Sequence, residues 1–169
     1  MPVVRLFTPA DAPALTALLH RAYAQLAAAG LNFTATYQDE AETLRRCACG
    51  PCWVSLDGDR LAASISLEFP TPAHLRRVCT TAHRPGIAWL QQIAVDPAYR
   101  GLGLASQLRN VAYGWARDHG ATQIGLDTAQ PATHLVAMYH HWGFVDAEII
   151  HWPGKTYDSV VLTRDTPSD

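Results

Sequence analysis

The chain predicts an α/β domain that combines hairpin pairing with a strand-helix-strand unit. Three observations carry that expectation. Residues 53–56 and 61–69 are strand-like runs separated by Asp57-Gly58-Asp59-Arg60, which reads as a hairpin turn, so the early sheet is antiparallel. Residues 87–95, a glycine-containing loop, an apolar helical stripe and residues 123–128 read as a β-loop-α-β unit. The 169 residues, 49% hydrophobic and 17% charged, suffice for one domain over 1–169 with a core of its own, without a disulfide or metal staple.

The elements follow in order. Residues 3–7 read as a short strand. Thr8 then offers an N-cap hydroxyl, Pro9 suits the first helical position and Asp11 places an acid three residues on, so a helix begins here. Leu15, Leu18, Leu19, Ala22 and Leu26 form its apolar stripe, and Gly30 supplies a stop. Residues 39–47 predict a second, shorter helix. Residues 70–86 hold three prolines, Arg76, Arg77, Arg84 and two histidines with little periodicity beyond a short turn, and a connection of that length is expected to be functional or mobile. In 87–95, Leu90 and Ile93 are an odd distance apart, which strict alternation across one pleated face forbids; a β-bulge restores the register. Leu104, Leu108, Val111, Ala112 and Trp115 predict a helix ending at Gly120. Residues 132–142 place Leu135, Met138, Tyr139 and Trp142 on one face of another, ended by Gly143, and strands near 144–151 and 157–163 complete the order. No internal repeat or domain boundary is visible.

Thirteen Lys plus Arg stand against fifteen Asp plus Glu, a formal net charge of −2. That balance lacks the basic surplus of a protein that grips a nucleic-acid backbone, so no nucleic-acid partner is expected. Lys155 is the only lysine, and an arginine-dominated cation set favours shaped recognition of phosphate or carboxylate. The first ten residues hold no apolar run followed by a small-residue cleavage site, and no apolar run approaches the roughly 18 residues of a membrane span; a soluble cytoplasmic protein is the expectation. Four cysteines in such a chain read as thiols rather than a disulfide framework.

The densest chemical signal is Val95-Asp96-Pro97-Ala98-Tyr99-Arg100-Gly101-Leu102-Gly103-Leu104-Ala105-Ser106, between a strand and a helix. Glycines at 101 and 103 permit a tight turn that presents N–H groups, and the positive end of the following helix dipole favours an anion such as a pyrophosphate. A dinucleotide fingerprint is excluded because Ser106 replaces the third glycine and residues 96–100 intervene after the strand, although Asp127 at the end of the next strand is a feature it would use. A P-loop is excluded because no Gly-Lys-Ser/Thr occurs.

Arg100-Gly101-Leu102-Gly103-Leu104-Ala105 resembles the Q/R-x-x-G-x-G/A signature of the GCN5-related N-acetyltransferase (GNAT) superfamily, and Asp96-Pro97-Ala98-Tyr99 resembles its lead-in. Met138-Tyr139-His140-His141-Trp142-Gly143-Phe144 is similar to the family's L-Y-x-x-x-G-F segment. The resemblance covers about residues 87–145. It implies a GNAT-like α+β fold: a central mixed, mostly antiparallel sheet of six to seven strands flanked by about four helices and splayed between strands 4 and 5. It also implies acetyl-CoA as cosubstrate, with the bulge aiming backbone groups of Ile93, Ala94 and Val95 at the pantetheine arm. The amides of Arg100, Gly101, Leu102, Gly103, Leu104 and Ala105 would cradle the pyrophosphate, and Ser106 would add its amide or hydroxyl.

Tyr139 matches the tyrosine that family members often use as a general acid toward the departing thiolate, and a phenol of pKa about 10 is protonated at neutral pH. On spacing alone it also reads as a core residue beside Leu135 and Met138. Where members often carry a glutamate on the fourth strand this chain has Gln91 and Gln92, which cannot serve as bases; Gln91 can orient a water or the acceptor instead. Glu68, Asp127 and His134 are the alternative bases, Glu68 first. Ala132 stands where many members have asparagine, with Thr133 and His134 as nearby polar substitutes. The tail from His151-Trp152 to Tyr157-Asp158-Ser159-Val160 is similar to superfamily members without assigning a specificity.

Cys47, Cys49 and Cys52, with Cys79 and His83, also admit a zinc reading, but a second C-x-x-C is lacking and no metal is assigned. The expected activity is N-acetyl transfer from acetyl-CoA to an amine-bearing acceptor in a ternary complex, with no membrane partner. The alternatives are a non-catalytic acyl-CoA-binding regulatory or interaction module, and a zinc-dependent binding protein. Phe33, Tyr37 and Trp89 with Asp39 and Glu40 are candidates for a cationic amine site, and Arg76, Arg77 and Arg84 for an acidic acceptor or the nucleotide phosphate. The 70–86 connection is equally a candidate pocket cover or homodimer contact.

Overall fold

A computed structural model describes residues 2–168; Met1 and Asp169, the two ends of the expected 1–169 domain, lie outside the described residues. Its strands are β1 (Val3–Leu6), β2 (Cys52–Asp57), β3 (Arg60–Glu68), β4 (Ile87–Val95), β5 (Gln123–Ala129), β6 (Val145–Ile150) and β7 (Ser159–Asp165). The helices are α1 (Ala12–Ala28), α2 (Glu40–Cys47), α3 (Leu104–Asp118) and α4 (Thr133–His141). The sheet order is β1-β2-β3-β4-β5-β7-β6, mixed because β4 and β5 are parallel while β1-β2, β2-β3, β5-β7 and β6-β7 are antiparallel. The described chain divides into two compact units, residues 2–67 with 90–112 and residues 68–89 with 113–168, so the first part of β4, 87–89, belongs to the second unit and the rest, 90–95, to the first.

In the first unit the predicted hairpin forms with register Cys52↔Ser66 through Asp57↔Arg60, and β1 pairs with β2. The start of α1 follows the capping logic of the sequence. Pro9–Asp11 make a 3-10 turn, and the Asp11 carboxylate accepts from the Thr8 amide at 2.7 Å while both its oxygens hold Arg5, at 2.7 and 2.8 Å. Leu15, Leu18 and Leu19 are fully buried against Val54, Leu61 and Ala94, so the α1 stripe faces the sheet as its period requires. Asp39 caps α2 by accepting from the Glu42 amide at 2.8 Å.

In the second unit, β5 pairs with β7 over its whole length, and β7 pairs with β6. The β4-β5 ladder comprises Ile87↔Gln123, Ala88↔Ile124 and Trp89↔Gly125 and stops there. A Cβ on Gly125 would lie 2.8 Å from the Trp89 ring and 2.9 Å from the Ile87 side chain, which is why this buried strand position is glycine. Leu75, Cys79 and Ala82 pack with Ile87, Trp89, Ile150 and Val161.

That cluster corrects one expectation. The 70–86 connection is not simply a mobile loop: two 3-10 turns, Leu75–Arg77 and Thr81–His83, bury its apolar residues, while Arg76, Arg77 and Arg84 are exposed. A second correction concerns α3. Val111 is 36% exposed, and Leu104, Leu108, Ala112, Tyr113 and Ala116 are the buried residues. An i, i+4 ladder advances about 40° per step, so the buried face is rotated away from the Val111–Trp115 edge. α4 buries Tyr139, with Trp142 at its C-cap, and leaves Leu135 and Met138 half-buried. Trp89, expected as a candidate acceptor-site aromatic, is a core residue whose Nε1 donates to Thr71 Oγ1 at 3.0 Å.

Candidate functional site

The glycine loop of the first unit is built on a clasped carboxylate. Asp96, 2% exposed, accepts from Arg21 Nη2 at 2.9 Å, from Arg60 Nη2 at 3.0 Å and from the Ala98 amide at 3.0 Å. Burial opposes its ionisation, but the Ala98 amide and the two guanidinium groups outweigh burial and hold its pKa below the usual carboxylate range. The 3-10 turn Pro97–Tyr99 follows; Tyr99 donates to Asp57 Oδ2 at 2.9 Å and lies under the Arg60 guanidinium. Arg100 is tied to the Ala22 carbonyl at 3.1 Å. The path into Gly101 is therefore fixed by side chains on α1, β2 and β3.

Gly101 and Gly103 have φ of +80° and +77°, a region L-residues rarely adopt, so glycine is required at both. Among the described residues the backbone amides from Gly101 to Ser106 donate to no protein acceptor; the first amide of this turn with a partner is Gln107, bonded to the Gly103 carbonyl at 3.0 Å. Gly101, Leu102 and Gly103 are exposed, Leu104 is buried, and Ala105 and Ser106 are half-buried. A run of unpaired amides at the start of a 15-residue helix is an anion cradle with the donors that a pyrophosphate needs.

Within β4, where a bulge is expected, Gln92 has a φ of +51°, the only positive φ of a non-glycine residue among the described residues. Its neighbours hold it there. Ser64 and Ser66 donate to the carbonyls of Gln92 and Gln91 at 3.0 and 3.1 Å, and the Tyr23 hydroxyl donates to the Ile93 carbonyl at 2.8 Å. The Gln92 side chain, 5% exposed, accepts from Gln38 Nε2 at 3.2 Å and donates to Ser66 Oγ at 3.1 Å. Gln38, 1% exposed, in turn accepts from Arg46 Nη1 at 2.7 Å. An arginine can only donate, so it orients the Gln38 amide, and Gln38 then orients Gln92. A glutamate at 92 could not donate to Ser66, whose own proton goes to the Gln91 carbonyl. The carboxamides that replace a basic carboxylate here are thus parts of a closed hydrogen-bond network. Ile93 and Val95 are half-buried on this strand and Ala94 lies in the core, 3% exposed.

The remaining predicted residues lie in the second unit. Tyr139 is 6% exposed; its ring meets Trp142 and Phe144 edge-on at centroid distances of 5.7 and 6.0 Å, and its carbonyl accepts from the Phe144 amide. Glu68 ends β3, is 8% exposed, and makes no hydrogen bond or ion pair among the described residues. Asp127 accepts from Trp152 Nε1 at 2.8 Å, and His151 of the tail bonds Asp158 at 2.9 Å. His134 is exposed on the first turn of α4, and Ala132 is buried.

The cysteines do not converge. Cys47 and Cys52 are buried with sulfurs 3.5 Å apart, Cys49 is exposed and turned to the Arg45 carbonyl, and Cys79 bonds Glu148. Contact with Cys47 and burial push the Cys52 thiol up. Among the described residues no group of three or more His, Cys, Asp or Glu side chains could hold a metal ion, and no described helix is long and apolar enough to cross a membrane.

Sequence reading missed Gln38, Tyr23 and Arg46. Nothing in the local pattern marks them: Arg45-Arg46 in the last turn of a short helix reads as ordinary complement to the helix dipole.

A family model for the acetyltransferase (GNAT) family matches residues 15–144. Solved structures similar to the chain include the ribosomal-protein-S18-alanine N-acetyltransferase of Escherichia coli, at TM-score 0.73 and 17% identity, covering 100% of this chain and 96% of that one. Ard1 of Thermoplasma volcanium gives TM-score 0.75 at 16% identity over 99% of each chain. The yncA protein of Salmonella typhimurium, solved with its cofactor acetyl-CoA, gives 0.69 at 17% identity over 100% of this chain and 96% of that one. No curated protein matches the sequence significantly.

Proposed function

The chain belongs to the GNAT acetyltransferase family, whose cosubstrate is acetyl-CoA, and we propose that it transfers an acetyl group directly to an amine within a ternary complex. The observation that carries the donor half of this reading is the run of unpartnered amides from Gly101 to Ser106 at the start of α3. Those amides, with Arg100, would hold the pyrophosphate, and Ile93 to Val95 the pantetheine arm. The thioester supplies an activated acetyl carbon with a thiolate leaving group.

The amine lone pair attacks that carbon, the N–C bond forms, and the C–S bond breaks with its electron pair on sulfur. The acceptor must shed a proton to free its lone pair, and the departing thiolate must gain one; a further proton leaves nitrogen as the amide forms and passes to solvent. Tyr139 is assigned the proton delivered to the thiolate, since a phenol can donate it and stabilise charge developing on sulfur. Glu68 is assigned the first, directly or through water, because its carboxylate has no partner among the described residues while Asp127 is engaged by Trp152. An alkylamine of pKa about 10 is neutral in only about one molecule per thousand at pH 7, so a base is needed.

Gln92 favours a second reading. Its carboxamide is consumed by Gln38 and Ser66, so β4 offers no carboxylate base, as in an acyl-CoA-binding module without turnover. Calorimetry of acetyl-CoA binding, paired with thiol release over an amine panel, separates the two. Acceptor-dependent thiol release supports the enzyme; binding without it supports the module; no binding defeats both.

A further inference from the structure

The arginines near acids in this chain are neutralised by them. Arg5 pairs with Asp11, Arg21 and Arg60 share Asp96, and Arg45 grips both oxygens of Glu42 at 2.6 and 2.8 Å. Arg46, one residue on, differs. It is half-buried and has no carboxylate within ion-pair distance among the described residues; its Nη1 goes to Gln38 Oε1 at 2.7 Å and its Nη2 to Gln91 Oε1 at 3.4 Å. Glu42, whose charge attracts Arg46, is bonded by Arg45 instead.

Two carboxamides orient a guanidinium without neutralising it. Withdrawing that charge from water with no carboxylate in contact is costly, and burial lowers the Arg46 pKa against the weaker attraction of Tyr23 and Glu42. Each Nη atom spends one hydrogen on a carboxamide. Among the described residues, Nε–H and the second hydrogen of each Nη have no protein acceptor, which leaves donors in the planar fork that suits a carboxylate. Gln91, which receives Nη2, lies two positions before Ile93 on β4; Tyr23, electrostatically coupled to Arg46, bonds the Ile93 carbonyl and meets the half-buried Phe33 edge-on at 5.4 Å.

We propose that Arg46 receives the carboxylate of the acceptor, so that the acceptor class is a small amine carrying a carboxylate, an amino acid rather than a polyamine or other purely cationic amine. Gln38 and Gln91 hold the fork in place, and Tyr23 and Phe33 offer aromatic surface for the acceptor's apolar part. This rests on the acetyltransferase reading and deepens it; the products are an N-acetyl amino acid and free CoA thiol.

The test uses the full chain and acetyl-CoA with free α-amino acids and the α-carboxamide of each, read as kcat/KM from thiol release, with acetyl-CoA affinity measured separately by calorimetry. The expected result is a preference for at least one free acid over its carboxamide of about 100-fold, the size of a lost charge-assisted bidentate contact. Arg46→Met should collapse that ratio toward unity, and Arg46→Lys should retain part of it with acetyl-CoA affinity preserved. Equal rates for acids and carboxamides in the wild-type protein overturn the proposal, and that comparison needs no variant to fold. A ratio unchanged in Arg46→Lys and Arg46→Met also overturns it. Acetyl-CoA binding with turnover of other amines but of no free acid overturns it while leaving the donor site standing. Absence of acetyl-CoA binding removes both readings.

Discussion

Gln38 donates from Nε2 to Oε1 of Gln92 at 3.2 Å, and this bond holds the side chain of a residue whose backbone lies in the left-handed region at φ +51°. Strain at a non-glycine residue persists only where surrounding contacts over-determine it. Here they do: Ser64 fixes the Gln92 carbonyl, and Gln38 and Ser66 fix its carboxamide.

Gln92→Ala should therefore destabilise the protein by about 2–3 kcal/mol, because Gln38 and Ser66 lose buried partners while the strain stays. Gln92→Gly loses the same bonds but relieves the strain, and should be about 1 kcal/mol more stable than the alanine variant. Urea unfolding of the three proteins gives the ranking. Equal midpoints for alanine and glycine would show that the bulge stores no strain.

At the anion loop the side chains matter less than the backbone. A Cβ on Gly103 meets no atom within 4 Å, so Gly103→Ala is penalised by its φ of +77° alone. It should cost about 1 kcal/mol and weaken acetyl-CoA binding about tenfold, as the amide cradle shifts. Leu102→Ala, at a side chain 64% exposed, should bind acetyl-CoA as the parent does. Calorimetry on the pair decides the matter; comparable losses at both positions would mean the site is not made of amides.

Tyr139→Phe keeps the ring that packs on Trp142 and Phe144 and removes only the hydroxyl. If the phenol protonates the leaving thiolate, kcat should fall about 100-fold or more with unfolding stability changed by no more than about 1 kcal/mol. Steady-state kinetics with thermal unfolding measures both, and a variant of full kcat would return Tyr139 to a purely structural role.

The acid limb of stability should carry the signature of Asp11. Its hydrogen bonds from Arg5, with help from Thr8 and against burial, lower its pKa from 3.8 to about 2. A depressed pKa in the folded state contributes stability that is complete above the unfolded value near 4 and is lost as pH falls from there through about 2. Asp11→Asn should thus be less stable than the parent at pH 6, with the gap narrowing below pH 4. Urea midpoints across that range provide the check, and a gap independent of pH would contradict the linkage.

Much of this protein was legible locally. The leucine stripe of α1, the 57–60 turn and the glycine loop are settled within a few residues by period and φ and formed where expected, whereas the Thr8-Pro9-Asp11 cap makes a 3-10 turn and α1 itself begins at Ala12. The odd spacing of Leu90 and Ile93 marks the stretch of β4 in which Gln92 departs from extended backbone, since a pleat has a period of two and does not absorb such a mismatch. Long-range packing decided what those rules leave open. Whether Val111 or Tyr113 faces inward on α3 depends on which side of the helix meets the sheet, and the 70–86 segment found a core that its own composition does not advertise.

By itself, the sequence determined the element order, the anion loop and the family signature, since each is written in neighbouring residues. Only the tertiary structure decided that the Gln92 carboxamide is held between Gln38 and Ser66, and that Arg46, alike in sequence to Arg45 beside it, is half-buried against carboxamides with no carboxylate in contact among the described residues. The reason is physical: burial and hydrogen-bond partnership arise from residues 8, 26, 45 and 54 positions apart, and no local pattern encodes which of two adjacent arginines will be turned inward.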